Sequence, residues 1–218
     1  MKLNLYVVAF LMCAIPFALL WYIWPQLPSI VPVHFGPSGK ADGFGNKNEL
    51  WVSLSILTFI GFGFFLLLLN IHKIDPKKSL HSLSLMKKIA FAVLCIIVFI
   101  ECLIVQSAKS SETHLDKIII PLLGVFFAFL GSTFYSVQPN YFVGIRTPWA
   151  LENADNWKAT HQLAAKLWVI GGLLAIPLSM LTPFVVAVFG FIAIAFTICI
   201  IPFVFSYRYH KKGNTASI

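Results

Sequence analysis

The sequence predicts an all-α, polytopic membrane protein with six transmembrane helices, and its composition and the lengths of its apolar runs carry that prediction. Of the 218 residues, 59% are hydrophobic and 11% are charged, whereas an ordinary soluble domain has about 45–50% apolar and about 25% charged residues. The apolar residues come in runs of about 20, each long enough at about 1.5 Å per residue to cross a hydrocarbon layer of about 30 Å. A water-soluble globular fold is therefore excluded.

Each apolar run should form one spanning helix. A backbone exposed to lipid must satisfy its own hydrogen bonds, and the alternating pattern of a transmembrane β-barrel is absent. The predicted spans are Leu3–Trp24, Leu50–Ile71, Ile89–Gln106, Ile118–Val137, Leu163–Met180 and Phe184–Tyr207. We expect two parts: residues 1–88, a pair of spans with a structured external loop at 25–49, and residues 89–218, four spans with a cytoplasmic loop at 139–162.

The basic residues predict the orientation of the chain. Twelve Lys and Arg residues lie near span ends on the side that holds both termini, and four lie on the other side. Because cytoplasmic loops carry the excess of positive charge, both termini are predicted to be cytoplasmic. The same asymmetry accounts for the net charge of +8, so we expect membrane lipid as a partner and no direct contact with nucleic acid.

The sequence contains no recognisable catalytic or metal-binding motif. All four cysteines lie inside apolar runs, which argues against a disulfide framework, and the six histidines are not at metal-ligand spacing. There is no HExxH, glycine-rich phosphate loop, G-x-S-x-G or CxxC sequence. The prediction is a protein that is not an enzyme and that uses no cofactor and no metal.

The loop after the first span, PQLPSIVPVHFGPSGKADGFGNKNE, should be structured and lie against the membrane surface. Its prolines forbid a continuous helix, so Ile30–Phe35 should be a short extended piece, and its glycines favour tight turns. Asn46 followed by Glu49 predicts the start of the second spanning helix. The candidate residues for binding an amphiphilic peptide here are His34, Phe35, Lys40, Asp42 and Phe44.

The loop after the fourth span, PNYFVGIRTPWALENADNWKATHQL, predicts two helices. Thr147 followed by Pro148 is a cap with proline at the first helical position, so Trp149–Asn153 should be one short helix. Asp155 is expected to cap a second helix that continues into the fifth span. On it Trp157, His161, Ala164 and Trp168 share one face, and the tryptophans alone suit an interfacial aromatic belt.

Several residues of this loop are candidates for binding, because arginine with tryptophans is the composition of a binding hot spot. Arg146 also suits an acidic lipid or a carboxylate on a partner. We nevertheless favour a structural role for Arg146, in which its guanidinium bonds carbonyls or Glu152 and ties the turn together. The candidate set is Asn140, Arg146, Thr147, Trp149, Glu152, Trp157 and His161.

Glu101 is the only carboxylate inside the predicted spans. Ionisable groups in lipid are costly and usually face the bundle interior or water. Two interpretations stay open at this point. Glu101 is either a proton, cation or ligand site, or a protonated or interface-reaching side chain near the end of its helix.

Two stretches of the sequence resemble the SdpI-like family of membrane proteins. The first is Val31-Pro32-Val33-His34-Phe35-Gly36 with Gly39-Lys40-Ala41-Asp42-Gly43-Phe44-Gly45-Asn46-Lys47. The second is Asn140-Tyr141-Phe142-Val143-Gly144-Ile145-Arg146-Thr147-Pro148-Trp149-Ala150-Leu151 followed by Trp157 and Thr160-His161. Both motifs occur in the expected order on a six-span chain, so the resemblance covers essentially the whole length.

The resemblance implies an immunity protein of the bacterial cytoplasmic membrane. Family members protect the cell from a secreted antimicrobial peptide that collapses the proton-motive force, and the resemblance further implies a signal receptor that holds a cytoplasmic repressor protein at the membrane. Two alternatives come from the residues themselves. One is a small transporter or flippase for an amphiphile that uses Glu101, and the other is an enzyme that acts on lipid headgroups near Arg146, Glu152 and His161.

Overall fold

The computed structural model describes residues 4–36, 41–75, 83–109 and 116–215. Within these residues the chain is helical apart from one β-hairpin and the connecting turns. The elements are α1 Leu5–Ile23, β1 Ile30–Phe35, β2 Ala41–Asn46, α2 Glu49–Ile74, α3 Leu83–Lys109, α4 Asp116–Thr133, α5 Pro148–Glu152, α6 Ala154–Leu181 and α7 Phe184–Thr215.

Six of these helices are long and apolar enough to cross a membrane, which confirms the predicted fold class. The longest helices, α6 with 28 residues and α7 with 32, extend beyond the predicted apolar runs. At about 1.5 Å per residue α7 is about 48 Å long, more than a hydrocarbon layer requires. Its last turns, which carry Lys211 and Lys212, therefore continue past the apolar part. The cytoplasmic location of the termini stays a prediction.

Among the elements of the described residues, the hairpin alone is not helical, and the sequence predicted only one of its two strands. Ile30–Phe35 is extended as expected and forms β1. It pairs antiparallel with a second strand, β2, which the sequence did not predict. The sequence of β2, ADGFGN, contains residue types that are rare in strands, so propensity gave no signal there. Pairing with β1 forms this strand in spite of its composition.

The described chain divides into two compact units. Unit 1 comprises Met1–Leu68 and Lys88–Ile119, and unit 2 comprises Leu69–Lys87 and Ile120–Ile218. Unit 1 has a core in which Val31 of the hairpin packs with apolar residues of α1, α2 and α3. The buried members of this core are Leu20, Ile23, Leu27, Val31, Leu50, Leu54, Val105 and Ala108.

Unit 2 is organised around α6, which packs along α7 and crosses α4 closely. At the α4 crossing, a Cβ atom on Gly172 would overlap the Gly124 carbonyl oxygen, and a Cβ on Gly124 would lie 2.6 Å from the Gly172 carbonyl oxygen. Small residues allow such close approach between helices in a membrane. Nearer the end of α4, a Cβ atom on Gly131 would lie 2.7 Å from Trp168 Cβ, so α4 and α6 also pack closely toward the point where the second motif loop begins.

Candidate functional site

The hairpin is attached to unit 1 by one apolar and one cationic side chain. Val31 is fully buried in the core. Lys47, directly after β2, points its Nζ at the carbonyl oxygens of Trp24 and Leu27, each 3.4 Å away, and lies 4.6 Å from the centre of the Trp24 ring. These donor and cation–π contacts hold the base of the hairpin at the end of α1.

The start of α2 follows the predicted capping pattern. The Asn46 backbone N–H donates to Glu49 Oε1 at 3.0 Å, and the Asn46 side-chain oxygen accepts from the Asn48 N–H at 2.9 Å. Because α2 begins at Glu49, these bonds fix the turn at residues 46–48 that precedes the helix. The hairpin therefore leads into α2 through a fixed turn.

The exposed face of the hairpin brings several predicted binding residues together. His34 Nδ1 and Asp42 Oδ1 are 2.5 Å apart, and their side chains are 71% and 51% exposed. Phe44 is 60% exposed, Ile30 is exposed as well, and Phe35 is half-buried. Lys40 lies outside the described residues. This face offers an imidazole, a carboxylate and apolar side chains at the surface.

Asn140 organises the turn that opens the second motif. Its side-chain nitrogen donates to the carbonyl oxygens of Gln138 and Val143 at 2.8 and 2.9 Å. Its side-chain oxygen accepts from the N–H groups of Phe142 and Val143 at 2.8 and 2.6 Å. Asn140 is fully buried, so its amide is used entirely inside the loop.

His161 joins the motif to α6. Its Nε2 accepts from the Ile145 N–H at 3.0 Å, and its Nδ1 lies 2.8 Å from the Trp157 carbonyl oxygen. Because a backbone N–H can only donate and a carbonyl can only accept, this pattern requires a neutral ring with its proton on Nδ1. Gly144, at φ +106°, packs so closely that a Cβ atom there would overlap Nε2.

The two helices predicted in this loop are present, and one cap differs from expectation. Thr147 caps α5 by accepting from the Ala150 N–H at 3.3 Å, with Pro148 in the first turn. The second helix, α6, begins at Ala154, two residues earlier than a cap at Asp155 predicts. Asn153 and not Asp155 is its cap, because the Asn153 side chain accepts from the Asn156 N–H at 2.8 Å.

A buried network of polar side chains ties the motif to α7, and sequence reasoning missed its centre. Ser206 Oγ accepts from Trp149 Nε1 at 3.0 Å, lies 3.2 Å from Thr147 Oγ1 and donates to the Asn156 side-chain oxygen at 2.9 Å. Asn156 also donates to the Ser206 carbonyl and accepts from Thr160. A serine 59 residues from Thr147 has no local sequence pattern that could have revealed this pairing.

The two tryptophans of the motif occupy different surroundings. Trp157 is 2% exposed, donates to the Val137 carbonyl at 2.8 Å and stacks on His161 with ring centres 4.0 Å apart. It therefore belongs to the packed interior and not to a lipid-exposed belt. Trp149 is half-buried and packs against aromatic side chains of α7, namely Phe203, Tyr207 and His210.

Charged side chains of the same region remain at the surface. Arg146 is exposed and donates one hydrogen bond, from Nη1 to the Tyr141 carbonyl at 2.7 Å. Glu152 is exposed and, within the part of the chain described, no ion pair joins it to Arg146. The alternative of an enzyme acting on lipid headgroups requires Arg146, Glu152 and His161. Both His161 nitrogens are bonded to backbone groups, so neither is free for acid–base chemistry.

A cleft of about 350 Å³ lies beside these residues. Its walls come from residues 134–139 and from the first turns of α6. Trp157 and His161 line it, and the exposed side chains of Asp155, Lys158 and Gln162 surround it. The cleft thus combines aromatic walls with charges of both signs.

Glu101, on α3, belongs to unit 1. It is 0% exposed, and its Oε1 accepts a hydrogen bond from Thr58 Oγ1 at 2.7 Å. Its other oxygen, Oε2, has no hydrogen-bond partner among the described residues. The side chain therefore does not reach the membrane interface.

Comparison with known proteins identifies the same two regions. Residues 136–206 match the SdpI/YfhL protein family, and residues 11–59 match a domain of unknown function, DUF1648. The chain is 22% identical to the immunity protein SdpI of Bacillus subtilis (strain 168) over 215 residues, which are 98% of this chain and 99% of that protein. No solved structure matches the chain. The SdpI-like resemblance is confirmed, and the chain is a multi-pass protein of the bacterial cell membrane.

Proposed function

We propose that this SdpI-like membrane protein gives the bacterium that carries it immunity to a secreted antimicrobial peptide. The observation that carries the proposal is the similarity to an immunity protein over 98% of the chain, since such a match spans both motif loops and all six helices. The same similarity favours a non-enzymatic role. The motif geometry fits this role, because both His161 nitrogens bond to backbone groups.

The hairpin is our proposed contact for the peptide. It is predicted to lie outside the cell, and its exposed face carries Ile30 and Phe44 beside the His34–Asp42 pair. Apolar side chains next to a polar pair suit an amphiphilic peptide, which buries its apolar face and keeps its polar groups hydrogen-bonded. Lys47 and Val31 hold the base of the hairpin, so the face is presented on a fixed support.

Expression in a toxin-sensitive bacterium tests the proposal. Survival and membrane potential are measured during exposure to a panel of secreted, membrane-depolarising peptides, with an empty vector for comparison. We expect the chain to preserve both against at least one peptide, and unchanged killing by every peptide would contradict the proposal. Phe44→Ala should weaken protection, whereas Phe59→Ala, at a residue 79% exposed on α2, should leave it intact.

A second proposal concerns a cytoplasmic partner. The cleft at the start of α6 has aromatic walls and the exposed charges of Asp155 and Lys158, which suits a segment of a protein with charges of both signs. We propose that a repressor protein docks there when peptide is bound outside, as the family resemblance implies. Co-purification from peptide-treated membranes should recover a DNA-binding protein, and Lys158→Glu should abolish that recovery. The docking would be contradicted if the same amount of this protein co-purified without peptide, or if Lys158→Glu left that amount unchanged.

A further inference from the structure

Glu101 and Thr58 form a buried pair that the immunity proposal does not use. Thr58 is the tenth residue of α2, which begins at Glu49, and Glu101 is eight residues before the end of α3 at Lys109. At about 1.5 Å per residue, each lies about 12–14 Å from its helix end. The pair is therefore within the apolar part of both helices.

The two oxygens of the Glu101 carboxyl group have unequal surroundings. Oε1 accepts from the Thr58 hydroxyl at 2.7 Å, while Oε2 is buried and has no partner within the described residues. An ionised carboxylate needs several hydrogen bonds or an opposite charge to be stable away from water. A single neutral hydroxyl does not meet that need.

A metal cation does not fit this pair as well as a proton does. Metal cations that bind oxygen ligands require several of them around the ion. Around the carboxyl group the described residues supply one hydroxyl and two thiols, Cys13 of α1 and Cys102 of α3, which lie near enough to interact with Glu101 electrostatically. The described residues contain no group of three or more His, Cys, Asp or Glu side chains that could hold an ion. A proton on the carboxyl group removes the charge, and the buried O–H group that remains costs much less than an uncompensated ionised carboxylate.

We propose that Glu101, positioned by Thr58, is a proton-binding site inside the membrane-spanning part of unit 1 and that it holds its proton at neutral pH. The carboxyl group then remains neutral, with Oε1 as the carbonyl oxygen that accepts from Thr58 and Oε2 as the oxygen that carries the proton. A neutral acid also explains how this side chain can be fully buried among apolar helices.

Infrared difference spectroscopy of the purified full-length protein in lipid tests the proposal. A protonated carboxylic acid has a C=O stretching band that shifts in heavy water, whereas an ionised carboxylate has symmetric and antisymmetric bands instead. Subtracting the Glu101→Gln spectrum from the wild-type spectrum at neutral pH should leave the C=O band. The exposed Glu152 is the control, because Glu152→Gln should remove carboxylate bands only. Loss of carboxylate bands in Glu101→Gln would overturn the proposal.

Thr58 variants provide an independent reading that does not require Glu101→Gln to fold. Removing the donor in Thr58→Val should move the C=O band to higher wavenumber, because a carbonyl freed of a hydrogen bond has a stiffer C=O bond. Thr58→Ser keeps a hydroxyl and should leave the band in place. A band unmoved in Thr58→Val would overturn the assignment of the proton to this pair.

Discussion

The hairpin and the motif loop, residues 137–153, differ in whether the residues of their family motifs are exposed or buried. On the hairpin, His34, Asp42 and Phe44 face outward and are more than half exposed. In the motif loop, Asn140 and Thr147 are buried and bonded to their own chain. The difference teaches that a sequence motif can identify a family either through a surface that meets a ligand or through contacts that shape the loop itself.

This contrast predicts that motif-loop substitutions act on stability and hairpin substitutions act on protection. A buried polar group that loses its partner costs about 1–3 kcal/mol. An ion pair between exposed side chains contributes about 0–1 kcal/mol to stability. Variants of the two regions should therefore separate when the melting temperature in detergent and survival under peptide are measured on the same proteins.

The largest effect is expected from Gly144→Ala. The residue has φ +106°, and an added Cβ would overlap His161 Nε2, which accepts from the Ile145 N–H. Backbone strain and overpacking together should destabilise the protein by roughly 2–4 kcal/mol. Thermal unfolding measures this, with Gly63→Ala as the control, because nothing lies within 4 Å of a Cβ built there. Equal melting temperatures for the two variants would refute the account of Gly144.

The next effect is expected from Asn140→Ala, which removes all four side-chain hydrogen bonds of the turn. The buried backbone groups left unpaired should lower stability by about 2–3 kcal/mol. In a chain of this size that corresponds to a melting temperature lower by roughly 5–10 °C. Gln138→Ala is the matched control, since its side chain is exposed on the same turn. A shift no larger than that of the control would show that Asn140 does not hold the turn.

The features that the sequence predicted depend on local contacts, and the features that it missed depend on contacts between residues far apart in the chain. The six spans, the Ile30–Phe35 extended piece and the Thr147 cap depend on neighbouring residues, and all three are confirmed. Strand β2 depends on pairing with β1, and the role of Ser206 depends on contacts with residues more than 45 positions away. Neither leaves a periodic or compositional signal.

Among the predicted site residues, sequence reasoning was weakest at deciding burial. Tryptophan is typical of the aromatic belt at a membrane interface. The Trp157 ring nevertheless stacks on His161, and its N–H donates to the Val137 carbonyl. Asp155 and Asn153 are both good cap residues, and only the backbone path selects Asn153. Residue type alone could not make these choices because each depends on where the preceding turn places the chain.

A smaller effect is expected from Arg146→Lys. The guanidinium makes one bond, to the Tyr141 carbonyl, from an exposed position, and an ammonium can replace a single bond but not a fork. We expect a stability loss of about 1 kcal/mol or less, measured by thermal unfolding against Arg208→Lys, an exposed arginine on α7. An unchanged melting temperature with lost protection would contradict a structural role and make Arg146 a direct ligand contact.

The smallest change in stability is expected at the His34–Asp42 pair, and it is here that stability and protection should diverge most. Both side chains are more than half exposed, so water and salt screen their attraction although Nδ1 and Oδ1 are only 2.5 Å apart. In a double-mutant cycle of His34→Gln and Asp42→Asn, the coupling energy from thermal unfolding should be below about 1 kcal/mol. Protection against the peptide should nevertheless fall in each single variant, because the polar half of the proposed contact is changed. Full protection in both variants would remove this pair from the peptide site and leave the apolar side chains, Phe44 and Ile30, as the part of the hairpin to test.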